Sequence, residues 1–197
     1  MTMVSHLRPA IVMIVLFTLL TGVVFPLGFT ALGGAVLPFQ AGGSLIMVKG
    51  QVVGSALIGQ NFTSGKYFHG RPSALMGTDP KDSTKQIATP YDASESGASN
   101  LAPTSKALID RVSGDVKAFA GAAVPADAVT TSASGLDPDI SPENAALQVA
   151  RVAKARGLTE DAVRRVVAAH TAPPLLGFIG VARVNVLAVN LDLDGVK

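Results

Sequence analysis

The stretch TTSASGLDPDISPENAALQVARVAKARG, Thr130 to Gly157, decides how the second half of the chain folds. Ser141 is a good N-cap, Pro142 fits the first helical position, and Glu143 suits the positive end of a helix dipole. The spacing predicts a helix with Ala146, Val149, Val152 and Ala153 on its apolar face, Asn144, Gln148 and Arg151 facing out, and Gly157 as its stop. Asp137-Pro138-Asp139 with Ser141 and Glu143 has the residue types of a calcium loop. The glycine such a loop needs at its sixth position is absent, and the segment turns helical too early. The reading is therefore a structural turn and a helix cap.

Outward from that stretch, a further helix starts after Thr159. Glu160–Arg164 and Asp161–Arg165 stand four apart with the acid first, and Val163, Val166, Val167 and His170 share the other face. Pro173-Pro174 ends it, and ARVNVLAVNLDLD, residues 182–194, reads as a closing strand. Upstream, Leu108, Val112, Val116 and Phe119 mark a helix from about Thr104 to Gly121. Between Ser73 and Thr104 only Leu75, Met76, Ile87, Tyr91 and Leu101 are large and apolar, which predicts a long excursion, mobile or laid against a partner. SLIMVKGQVVGSALIGQNF, residues 44–62, alternates and breaks at Lys49-Gly50, which predicts a β-hairpin or two short strands. Residues 44–197 thus read as one mixed α/β (α+β) domain with an excursion at 73–104.

The first 43 residues are of another kind. Forty positions between Arg8 and Lys49 hold no Asp, Glu, Lys or Arg. Ala10–Leu32 is apolar enough for a transmembrane helix, and its length of roughly 34 Å exceeds a bilayer core of about 30 Å. A cleaved secretory leader, with a site at Ala31-Leu32-Gly33, is the alternative; the length of the apolar run favours a retained anchor. Arg8 and the terminal amine precede the span and no basic residue follows closely. The positive-inside rule then makes residues 1–9 a cytoplasmic stub and exports everything after the helix. Thr18, Gly22 and Pro26 recur at four-residue spacing, a stripe on which another helix could pack closely. Gly33–Gly43, uncharged and glycine-rich, reads as a flexible linker.

Charge and composition exclude several functions. Sixteen basic residues against fourteen acidic form no nucleic-acid stripe. The absence of cysteine removes disulfides, thiol catalysis and zinc–thiolate sites. Gly59 to Lys66 resembles a phosphate loop, but five residues separate its glycines and Tyr67 follows the lysine where Ser or Thr is required. No serine lies in G-x-S-x-G or S-x-x-K. His69 sits in a glycine-flanked loop and His170 at a helix end, so no catalytic set assembles. Two other readings make their own demands. An anchored periplasmic hydrolase would use Ser134, His170 and an acid, and an exported binding module requires cleavage near Gly33.

Several ordered motifs carry a resemblance. VTTSASGLDPDIS is followed by the Gln148–Arg151-Val152-Ala153 helix and Arg156-Gly157. Before it come Gly54-Ser55, Leu57-Ile58-Gly59-Gln60, Tyr67-Phe68, Arg71-Pro72-Ser73, and Ser99-Asn100-Leu101 with Pro103-Thr104. After it come His170-Thr171 and Arg183-Val184-Asn185-Val186-Leu187 with Asn190. Nearly end to end, the chain resembles the C subunit of the Kdp-type, ATP-driven potassium pump. One departure is Asp139, where the family usually has His.

The resemblance implies a non-catalytic subunit that binds no cofactor of its own. Its partners would be a channel-like A subunit that carries potassium, a P-type ATPase B subunit that uses ATP, a small F subunit, and the lipid bilayer. It also implies a role in assembly, and a proposed role as a catalytic chaperone that raises the ATP affinity of the B subunit. An exported domain cannot touch a cytoplasmic nucleotide, so any such effect would be indirect coupling.

Overall fold

The structure, a computed structural model, describes residues 3–119 and 123–195 and falls into two compact units that meet in sequence between Leu45 and Ile46. In the first unit, α1 (Met3–Leu19), a π-helical turn (Leu20–Val24) and α2 (Phe25–Val36) run on without a break. His6–Val36 is one helix long and apolar enough to cross a membrane, and it contains the whole of Ala10–Leu32. The π turn has its cause in Pro26, which lacks an N–H and whose ring would strike the carbonyl four residues back. Widening the preceding turn, with the Phe25 N–H donating to the Leu20 carbonyl, accommodates the ring without ending the helix.

Gly33–Gly43, expected to be a flexible joint, is largely helical. The Leu37 N–H donates to Gly33 O at 2.8 Å, and a short helix α3 (Pro38–Ala41) follows α2. From Gly33 to Phe39 no side chain carries a polar group that could compete for the backbone, so two glycines weaken the helix without breaking it.

The second unit opens with the expected hairpin, β1 (Leu45–Val48) and β2 (Gln51–Ser55). Lys49 and Gly50 both have positive φ, 51° and 80°, as the tight two-residue turn with the twist of its strands requires. The Ser73–Thr104 excursion, expected to be mobile or laid against a partner, contains a second antiparallel hairpin, β3 (Met76–Asp79) and β4 (Asp82–Ala88). Its strands are mostly polar and exposed, so no alternating pattern announces them. Asp79 and Asp82 shape the turn instead, accepting from the Lys81 and Thr84 amides at 2.8 and 3.1 Å.

The helix expected at Thr104–Gly121 is α4 (Lys106–Lys117), with Leu108, Val112 and Phe119 half-buried and Val116 exposed; Gly121 lies outside the described residues. Then follow α5 (Ala126–Val129), β5 (Asp139–Ile140), α6 (Pro142–Arg156), α7 (Glu160–Ala169), β6 (Thr171–Ala172), β7 (Arg183–Asn185) and α8 (Val186–Leu193). The last three strands form an antiparallel sheet in the order β5-β7-β6, with Val184 opposite both Ile140 and Thr171. The core gathers between this sheet and α6, α7 and α8, from Phe68, Ile140, Ala145, Val149, Val152, Val163, Val184, Val186 and Val189.

Two sequence expectations fail here. Residues 182–194 are not a strand: after three residues of β7, Asn185 caps α8 by accepting the Ala188 N–H at 3.0 Å. A run rich in valine and leucine alternates well enough to pass for a strand. The cap and the inward face Val186, Leu187, Val189 and Asn190 prevail. On α6 the apolar face holds Ala145 in place of the exposed Ala146, and Asn144, Gln148 and Arg151 turn toward the protein.

Candidate functional site

Residues 60–75 form almost no regular structure, so their backbone groups must find partners elsewhere. Side chains from two helices supply them. Asn190 of α8, fully buried, accepts from Phe68 N–H at 2.8 Å and donates to Phe68 O at 3.0 Å. Gln148 of α6 does the same for His69, at 2.8 and 3.1 Å. Arg151 donates to Gly65 O and Tyr67 O at 2.7 and 2.9 Å, and Arg156 to Lys66 O at 2.6 Å. Arg156 also pairs with Asp194 at 2.9 Å, where Tyr67 donates its hydroxyl. The segment resembling a phosphate loop thus offers carbonyls to arginines. A phosphate cradle needs converging amides.

The opening stretch grips the other end of this segment. Arg71 pairs with Asp137 at 2.9 Å and donates to Thr131 O at 3.3 Å. The Tyr91 hydroxyl donates to Arg71 O at 2.7 Å. Its ring lies so close to Gly59 and Gly70 that a Cβ at either would collide with it, so only glycine fits there. Burial pushes the Tyr91 hydroxyl up to about 12, and the Asp137 carboxylate adds to the shift.

Ser141 caps α6 as expected, accepting the Asn144 N–H at 3.0 Å. Asp127, which no sequence motif singles out, organises this cap. It accepts from Ser141 N–H and Oγ at 2.8 Å each and from Asn144 Nδ2 at 3.0 Å. Burial raises its pKa, but these donors outweigh burial and hold the carboxyl below its usual value. Asp139 shows the opposite balance: burial prevails over Asn185 and over Arg183, whose Nε lies 3.1 Å away, and the carboxyl is raised.

Asp137 and Asp139 therefore face arginines, and among the described residues no group of acids and histidines is arranged to hold a metal. Ser134 Oγ accepts the Leu136 N–H, whereas His170 pairs with Asp192 at 3.0 Å, so the two side chains are engaged in different places. Burial lowers the His69 pKa, and its ring lies 3.1 Å from Ser64 O. Clefts of about 550 and 710 Å³ lie on either side of Arg71. Gln60, His69, Tyr91 and Arg151 line the first, and Asp137, Asp139 and Arg183 the second. In the first unit, Thr18, Gly22 and Pro26 are exposed on the helix around the π turn, and space is open beside Gly22.

One helix long and apolar enough to cross a membrane is thus followed by a helix-and-strand unit whose polar side chains brace its own backbone. The chain belongs to the family described as KdpC: K+-transporting ATPase, c chain, which it matches over residues 7–195. It is 59% identical to the potassium-transporting ATPase KdpC subunit of Rhodopseudomonas palustris (strain BisB18), covering 99% of this chain and 100% of the relative. The corresponding subunits of Bradyrhizobium diazoefficiens and Methylobacterium nodulans are 57% and 56% identical, each over 98% of both chains.

Proposed function

We propose that the chain is the non-catalytic accessory subunit of an ATP-driven potassium import pump, needed for assembly and activity of the complex. The family match over residues 7–195 carries this reading. The geometry supports it, because Arg71, Gln148, Arg151 and Arg156 are spent on the chain's own carbonyls and carboxylates. The partners are a channel-like A subunit that carries potassium, a P-type B subunit that hydrolyses ATP, and a small F subunit. Thr18, Gly22 and Pro26 form the face of the span that packs on a neighbouring helix.

The amino terminus lies in the cytoplasm and the folded unit outside, on the strength of Arg8 before the span. Any effect on ATP affinity then passes through the pump's conformational equilibrium, without contact with the nucleotide. A reporter active only after export, fused after Lys197, tests this arrangement. Activity is the predicted result; activity of a cytoplasm-only reporter would reverse the orientation.

A further inference from the structure

We propose that residues 172–182 form an apolar finger that enters the lipid bilayer at the boundary between headgroups and acyl chains. The run APPLLGFIGVA has no side chain able to ionise or make a hydrogen bond. It projects between β6 and β7. Leu176 and Phe178 are each 76% exposed and Val181 77%, with Leu175 and Ile179 also exposed. So many large apolar groups presented together mark an interaction surface, where single exposed residues would not.

The finger is built for hydrocarbon rather than for water. Leu175 and Ile179 exchange both backbone hydrogen bonds at 2.9 Å, and the Gly177 and Phe178 amides donate to Pro174 O and Leu175 O. Pro173 and Pro174 have no N–H to satisfy. Amides paired within the segment in this way cost less to take toward lipid than unpaired ones. A protein partner, by contrast, makes about one hydrogen bond per 100–200 Å² of interface, and no side chain here can supply one.

The folded unit is also covalently tethered to a membrane-length helix. The finger closes on β7, whose Asn185 donates to Ala56 O at 3.2 Å, and α8 packs Leu187 against Gly54. Residues 54–56 belong to the segment by which the chain, after its membrane-length helix, enters the folded unit. A covalent tether of this kind makes even shallow insertion effective, because the second contact is intramolecular. The proposal holds for either orientation of the span.

The chain contains no tryptophan, so Phe178→Trp provides a single fluorophore at an exposed position outside the core. The full chain is reconstituted in phosphatidylcholine vesicles, with or without bromine on the upper acyl carbons. Bromolipid is expected to cut the emission at least twofold, as for Leu20→Trp within the span, while iodide leaves it unchanged. Leu158→Trp, exposed on the turn between α6 and α7, should respond only to iodide. If Phe178→Trp behaves like Leu158→Trp, the finger lies in water and the proposal fails. If, in the assembled pump, Phe178→Trp escapes both quenchers, a protein surface covers the finger and the lipid assignment is overturned. Leu176→Trp, read in the same way, guards against a local effect of one substitution.

Discussion

Asn190 holds Phe68, 122 positions earlier in the chain, by both atoms of its side-chain amide, 2.8 Å from N–H to Oδ1 and 3.0 Å from Nδ2 to the carbonyl. The pairing substitutes for a strand neighbour that this segment lacks. Asn190→Ala leaves a buried donor and a buried acceptor without partners and is expected to destabilise the folded unit by about 3 kcal/mol. Arg164→Ala removes an exposed 2.7 Å pair with Glu160 and should cost no more than about 0.5 kcal/mol. Thermal or denaturant melts of the full chain in detergent give both values. Equal losses would mean that the Asn190 bridge has no special weight.

The cap of α6 should matter more than the nearby acid. Ser141→Ala loses the bond to Asn144 N–H and the donation to Asp127, for an expected loss of about 1–2 kcal/mol. Asp139→Asn removes a charge that burial already disfavours, so its cost is expected within about 0.5 kcal/mol despite the Arg183 pair. Millimolar calcium should leave the melting temperature of the wild type unchanged. A calcium-dependent rise that Asp139→Asn abolishes would restore the metal-loop reading.

Acidification should weaken the fold through His69. Its folded pKa is lowered from 6.5, with burial the largest cause and the Arg151 charge adding to it. Above 6.5 the ring is neutral in both states and the full stability is present. Below 6.5 the unfolded chain takes up a proton that the folded chain resists, so stability falls with pH. Asp127, whose pKa is lowered from 3.8, adds its own loss only in a more acidic range. His69→Gln should flatten the dependence of melting temperature on pH just below 6.5 and leave the steeper acid limb in place. An unchanged profile would remove His69 from the account.

Gly22→Leu adds bulk where the span is open, and on the proposed packing face it should lower recovery of the assembled complex several-fold. Leu19→Ala, a comparison away from the Thr18–Gly22–Pro26 stripe, should have little effect. Equal recovery of both variants, judged by copurification in mild detergent, would mean that the stripe faces lipid.

Periodicity and capping made much of the fold legible in the sequence. The apolar span, the hairpin at Lys49-Gly50, α6 with its Ser141 cap and α7 with its Glu160–Arg164 pair all carry local signals. The β3–β4 hairpin was hidden because exposed polar strands have no alternation. Helix α8 was hidden because β-branched residues follow directly from β7. The brace was missed for a different reason. Asn144, Gln148 and Arg151 are polar residues beside an apolar stripe, which by pattern alone belong in solvent. Only the tertiary position of the 65–71 backbone, short of partners, turns Gln148 and Arg151 inward, and Asp127 holds Asn144. Their spacing of four and then three residues on one helix face is the one trace the sequence offered.

The central claim, a subunit that the pump cannot do without, is tested most directly by purifying the tagged full chain from cells that express all the pump's subunits. ATPase activity is then measured with and without potassium, alongside a preparation from cells lacking this chain. The account predicts that the chain brings down a multi-span ATPase whose hydrolysis rises with potassium, and that omitting the chain abolishes both the assembly and the potassium response. Isolation of the chain as a lone stable monomer, beside a pump that assembles and hydrolyses ATP normally without it, would contradict the account.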